Sequence, residues 1–139
     1  CDIRIAGEGI RMAMPEAKVG MGGVYGSVVL PRRIPLAIAL ELLFTGDYFS
    51  AEEALRWGLV NRVVPRAEVV PSALELARRI ADSAPLTVRR IKEMALKGLE
   101  LPVATALRLD VGPNPYTSED RREGIRAFLE KRKPQWQGR

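Results

Sequence analysis

Histidine is absent from the 139-residue chain, and cysteine occurs once. Without an imidazole the chain cannot assemble a Ser-His-Asp or Cys-His nucleophile system, and a histidine-ligated zinc site is excluded as well. Carboxylates, tyrosine, lysine and backbone groups are what remain for chemistry. The lone Cys1 excludes an internal disulfide and suits a reducing, cytoplasmic compartment. As a small apolar side chain it is expected to be buried at a strand edge. No stretch of about 18 apolar residues is present, so no membrane-spanning helix is expected. Neither an initiator Met nor a charged-then-apolar leader opens the chain, so it is expected to lack a secretory signal and to be a piece of a longer protein. Aromatic residues are scarce at 6%, and although the net charge is +5, the basic residues are scattered among acidic ones through helical patterns. That distribution lacks the basic face with interleaved aromatics that nucleic acid requires. It suits a solvated surface or a pocket for a phosphorylated ligand.

What is present has the balance of a folded protein, 47% hydrophobic and 28% charged. Residues 2–14 alternate Ile3 and Ile5, then Ile10, Met12 and Met14, around Gly7-Glu8-Gly9, which predicts two short strands joined as a pair by a tight turn. After Leu36 the pattern is helical. "PLAIALELLFTG" is apolar nearly all round and stops at Gly46, as a buried helix would. Ser50 and Glu53 form a capping box opening a short helix that ends at Trp57-Gly58. "LVNRVVP" reads as an extended segment terminated by Pro65. Val70, Leu74, Ala77 and Ile80 then recur at helical spacing, with Pro71 tolerable only near the helix start. Pro85 resets the chain, two further helices follow, and Thr117 with Asp120 is expected to open a last helix carrying Ile125, Phe128 and Leu129 on one face.

The glycine-rich run "GMGGVYG" invites comparison with a dinucleotide fingerprint, but a G-x-G-x-x-G frame starting at Gly20 needs glycine where Tyr25 stands, and no G-K-[ST] follows. What Gly22 and Gly23 offer instead is close passage of backbone past a ligand or another segment, leading into a helix whose first N–H groups face the same space. Just before them lies a single carboxylate, Glu16. Met12, Met14 and Val19 are positioned to desolvate it and lift its pKa by about 2 units, towards the operating range of a general acid or base. The alternative for Glu16 is a surface ion pair with Lys18 or an arginine.

"MPEAKVG" followed by glycines, then "LPRRIPLAIALELLFTGDYFSAEEALRWGLVNRVVP", then "SEDRREGIRAFLEKRKPQWQGR", together resemble the C-terminal half of the crotonase superfamily, the enoyl-CoA hydratases and isomerases. The last two thirds are also similar to its carnitinyl-CoA hydratase branch. The resemblance covers the whole chain. It implies an α/β fold: the C-terminal part of a ββα spiral over 1–65, carrying the glycine loop, followed by a helical oligomerisation region over 66–139 that packs in a homo-oligomer, a trimer or a hexamer. It implies an acyl-CoA thioester as substrate, held with its carbonyl oxygen on two backbone N–H donors, and neither a metal nor a separate cofactor. Glu16 matches one of the hydratase's two catalytic glutamates, the one that moves a proton at the α-carbon. Gly22, Gly23 and Tyr25 fall on the substrate-binding loop. That loop departs from the family's Pro-x-x-Gly-Gly-Thr-Gln-Arg pattern by lacking Thr-Gln and being a residue shorter, which would set Tyr25 near the acyl group.

By the same resemblance, Phe128 and Lys131 reach a neighbouring subunit's pocket, the ring near the adenine and the ammonium facing the CoA phosphates. Their spacing of three is expected to place them on one helix face; the alternative buries Phe128 with Ile125 and leaves Lys131 in solvent. The partner glutamate and one oxyanion donor are expected upstream of Cys1, so the chain by itself is expected to be inactive. The implied activity is addition of water across a 2-trans-enoyl-CoA. A Δ3,Δ2-enoyl-CoA isomerase, in which Glu16 alone shuttles the proton, is the alternative enzyme. An oligomerisation or interaction module is the alternative outside catalysis.

Overall fold

Ile5–Gly7 (β1) and Arg11–Met12 (β2) are extended, as the alternation predicts, in a computed structural model that describes residues 1–139. They do not pair with each other. β1 runs parallel to Arg62–Val64 (β4), with Ile5 opposite Arg62 and Gly7 opposite Val64. β2 runs antiparallel to Phe49–Ser50 (β3), with Arg11 opposite Ser50 and Met12 opposite Phe49. The turn at Glu8-Gly9, with Gly9 at φ 71°, therefore divides two ladders and does not close a hairpin. Local alternation reports which residues are extended; a partner more than fifty residues away leaves no mark in it.

The chain forms two compact units, Cys1–Glu75 and Leu76–Arg139. In the first, a five-residue 3-10 turn, Pro15–Val19, precedes the glycine loop and the short helix Val24–Val29 (α1). Leu36–Thr45 (α2) and Ala51–Arg56 (α3) follow. Gly46 ends α2 in the left-handed conformation, where a residue without Cβ is favoured. The capping box of α3 is present in full: Glu53 N–H donates to Ser50 Oγ at 3.2 Å, and Ser50 N–H donates to Glu53 Oε2 at 2.8 Å. Ala6, Leu30, Ile34, Ala39, Leu42, Phe49, Ala51, Ala54 and Val60 form the core, and the Phe49 and Trp57 rings meet at 5.5 Å in a tilted pair. α2 is not buried all round as its composition suggests. Ala39 and Leu42 face the core, whereas Leu36 and Phe44 are exposed, Phe44 at 72%. Cys1 is also exposed and precedes the first strand, not buried at its edge.

The boundary between the units falls within Val69–Ala81 (α4), where Pro71 sits in the first turn, as its missing N–H requires. Pro85–Gly98 (α5), Val103–Ala106 (α6) and Glu119–Leu129 (α7) make up the second unit. Its apolar stripes are largely uncovered, and Ala127 is its only buried apolar side chain. α7 is capped by Ser118, not Thr117: Arg121 N–H donates to Ser118 Oγ at 3.1 Å. Asp120 has a different task. At 2% exposure, its carboxylate accepts Gln137 N–H at 2.6 Å and Gly138 N–H at 3.0 Å, tying the C-terminal strap to the start of α7. Trp136 completes the strap by donating its indole N–H to Asp82 O at 2.8 Å. Its ring lies where a Cβ on Gly124 would come within 3.2 Å. No helix is long and apolar enough to cross a membrane.

Candidate active site

Pro15 opens the 3-10 turn that carries Glu16, and Gly20, at φ 70°, closes it. Met21 N–H donates to Glu16 O at 3.0 Å, so the chain reverses directly over the glutamate. The glycine loop then returns across its side chain. A Cβ on Gly23 would lie 3.2 Å from the Glu16 carboxyl carbon and 3.3 Å from Oε1, so only glycine passes there without displacing the acid. Gly22 is exposed, and its carbonyl accepts Val24 N–H at 2.9 Å. Gly23 caps α1 without a side chain and accepts Ser27 N–H at 2.8 Å.

Glu16 is half-buried, and its Oε2 is enclosed without a hydrogen-bond partner. Val19, which the sequence suggests as part of its cover, is exposed at 68%. The alternative of a Glu16–Lys18 ion pair does not occur, because Lys18 Nζ lies 2.8 Å from Asp47 Oδ1. Buried carboxylate oxygens almost always find a donor, so one left without a partner in a folded chain calls for a chemical explanation. No cluster of three or more His, Cys, Asp or Glu side chains that could hold a metal ion is present.

Tyr25 is 79% exposed and stands at the rim of a cavity of about 430 Å³. Met12, Met14, Val29, Leu30, Phe49 and Leu59 give the cavity its apolar wall, and Arg4 and Arg33 are its charged lining residues. Arg4 is occupied by structure, donating to the Leu59 and Cys1 carbonyls. The cavity is not legible in sequence, because its wall gathers residues from the β2–β3 ladder, from α1 and from Arg4 and Leu59, which are distant in the chain. Glu16, Gly22 and Gly23 are not among its lining residues; the structure brings Glu16 to Gly23, and Tyr25 to the cavity.

In the second unit, Phe128 occupies the last turn of α7 and is 83% exposed, so the alternative that buries it with Ile125 does not hold. Lys131 does not continue the helix face. It lies beyond the C-cap Glu130 at φ 54°, the only residue other than glycine with a positive φ. Lys131 N–H donates to Phe128 O at 3.2 Å and Arg132 N–H to Ala127 O at 3.0 Å, the paired bonds of a Schellman turn. Helical spacing therefore fails for this pair, since the helix has ended. Arg132 braces the turn by gripping both Glu123 oxygens, at 2.6 and 2.9 Å, and Glu130 at 2.6 Å. Arg132, together with Gln135 N–H at 2.8 Å, holds the Glu123 carboxyl down at about 2. Glu123 and Glu130 in turn push the Arg132 pKa above its usual value.

The whole chain, residues 1–139, matches the family described as Enoyl-CoA hydratase/isomerase. Carnitinyl-CoA dehydratase of Salmonella typhi is 44% identical to it over 145 residues, covering 99% of this chain and 56% of the relative. Among solved structures, the enoyl-CoA hydratase of Bacillus anthracis superposes with a TM-score of 0.92 at 36% identity, over 100% of this chain and 55% of that one. The enoyl-CoA hydratase of Mycobacterium tuberculosis H37Rv gives 0.91 at 35% identity, over 100% and 56%. The chain thus spans about 56% of the length of the curated relatives it matches. A backbone shared this closely along its full extent, at this identity, makes it part of an α/β crotonase-like fold, and the chain belongs to the enoyl-CoA hydratase/isomerase family.

Proposed function

We propose that the protein containing this chain adds water to, or removes it from, the α,β bond of an acyl-CoA thioester, with Glu16 as the group that moves the α-proton. The observation that carries this reading is the enclosed, unpartnered Oε2 of Glu16. A carboxylate oxygen with no internal donor is free to take or give a proton at a ligand, and family membership supplies the thioester.

In the hydration direction, water oxygen bonds to the β-carbon while the π electrons of the double bond move onto the thioester oxygen as an enolate. Backbone N–H donors stabilise that charge. Glu16 then gives its proton to the α-carbon, and a second carboxylate outside this chain accepts the proton of the attacking water. In the reverse direction, Glu16 takes the α-proton, and the hydroxyl takes a proton from the second carboxylic acid and leaves the β-carbon as water. On this reading the glycine loop at 22–23 with Tyr25 borders the acyl group. The exposed Phe128 and Lys131 serve a neighbouring copy, as an adenine platform and a phosphate contact, within a homo-oligomer built through the helices of the second unit.

The test is Glu16→Gln in the full-length protein with crotonyl-CoA as substrate. Turnover is expected to fall by about 10² or more while folding and CoA binding are retained, because Gln keeps the volume and loses only the transferable proton. Unchanged turnover would return Glu16 to a structural role.

A further inference from the structure

Thr45-Gly46-Asp47, the turn that ends α2, contacts the segment that carries Glu16 and is tied back to its own helix. Gly46 is buried at φ 61°, and a Cβ built on it would stand 3.1 Å from Pro15 Cα and 3.3 Å from the Lys18 side chain. Asp47 takes the Lys18 ammonium at 2.8 Å, which also holds the Asp47 carboxyl below its usual range. Thr45 Oγ1 donates to Glu41 O at 2.8 Å and accepts Asp47 N–H at 3.2 Å, fixing the turn on its own helix. Pro15 and Lys18, on either side of Glu16 in the 3-10 turn, are thus both seated on one rigid corner.

We infer that the Thr45-Gly46-Asp47 turn is a positioning device for Glu16, with Gly46 as its critical residue and the Lys18–Asp47 pair as its lateral stop. The inference rests on the reading of Glu16 given above. Its physical basis is that the Gly46–Pro15 approach is backbone against backbone. No rotamer change can relieve an added Cβ, so an alanine there must push the 3-10 turn, and the carboxyl with it, away from its place. The turn has to give by a few tenths of an ångström to restore ordinary contact, and rate is steep in such displacements, about 1 Å costing as much as 10²-fold. Asp47 and Lys18 are exposed, so their pair contributes less.

Gly58 supplies a matched control. It too is left-handed, at φ 76°, but nothing lies within 4 Å of where its Cβ would be. Gly46→Ala and Gly58→Ala therefore share the conformational penalty of a left-handed alanine, and only the first presses on the Glu16 segment. In the full-length protein assayed with crotonyl-CoA, Gly46→Ala is expected to lower kcat roughly tenfold or more relative to Gly58→Ala, with KM little changed and the pH profile of kcat displaced. Asp47→Ala, which leaves the backbone undisturbed and stands in should Gly46→Ala fail to fold, is expected to lower kcat about two- to fivefold. Equal kcat and equal pH profiles for the two alanine variants, or an unchanged kcat for Asp47→Ala, would overturn the inference. Glu16→Gln measured alongside separates the two claims: if it retains turnover, the reading of Glu16 fails, whatever the glycine variants do.

Discussion

Residues 1–75 bury large apolar side chains, Leu30, Ile34, Leu42 and Phe49 among them, whereas residues 76–139 bury no apolar side chain but Ala127 and are held by directed polar contacts. The first unit follows the hydrophobic effect in the usual way, with the 3-10 turn and glycine loop supported by a packed core. The second unit relies on the Asp120 clamp, the Arg132–Glu123–Glu130 brace and the Trp136 indole bond, while Leu99, Val103, Leu107, Phe128 and Leu129 remain exposed. On the proposed reading, the first unit fixes the position of the proton-transferring acid, and the second presents an apolar surface and a CoA contact to a neighbouring copy.

The sharpest way to break this contrast is to truncate an apolar side chain in each unit. Leu42→Ala removes a core side chain and is expected to cost about 2–5 kcal/mol in chemical denaturation. Leu129→Ala removes an exposed one and is expected to change the stability of the monomeric chain by no more than about 0.5 kcal/mol. Similar losses at the two sites would show that the second unit has a core after all. Next in size, Asp120→Ala leaves the Gln137 and Gly138 amides without their acceptor and is expected to cost about 1–3 kcal/mol. Hydrogen exchange at Gln137 and Gly138 should accelerate in this variant, and retained protection there would mean that the strap is held by something else.

Acidification is the gentlest of these perturbations. The Glu123 carboxyl sits at about 2 in the folded chain against an ordinary 4.5, so its contribution is fully present above pH 4.5 and is lost as pH falls through about 2. Asp47 is lowered in the same sense by Lys18 and adds a smaller loss of its own in the first unit. An acid titration followed at Trp136 should therefore show the second unit loosening across that window. Glu123→Gln should flatten the transition, and an identical titration in the variant would remove Glu123 from the account.

What the sequence reveals divides along the same line. The capping box at Ser50 and Glu53, the stop at Gly46 and the early placement of Pro71 are contained within a few residues each, and all are found where the pattern puts them. The strand partners are not local: β1 and β2 share a turn yet belong to different ladders, and alternation cannot report that. Lys131 misleads for a related reason. Lysine continues helices readily and seldom adopts a left-handed conformation, so nothing local announces a turn that depends on Arg132 reaching back to Glu123. Exposure of Cys1 and of one side of α2 depends on what packs against them, which composition does not encode. Glu16 stood out as an isolated acid before glycines. That its Oε2 is enclosed without a donor, and that Gly23 passes against it, emerge only from the folded loop.

The central claim is that Glu16 moves the α-proton, and exchange at that carbon reports on it without requiring complete turnover. The measurement is deuterium incorporation at the α-carbon of butyryl-CoA in heavy water, followed by NMR, for the full-length protein and its Glu16→Gln variant. The account predicts exchange catalysed by the unaltered protein and slowed by about 10² or more in the variant, with butyryl-CoA affinity unchanged. Equal exchange in the two proteins would contradict it.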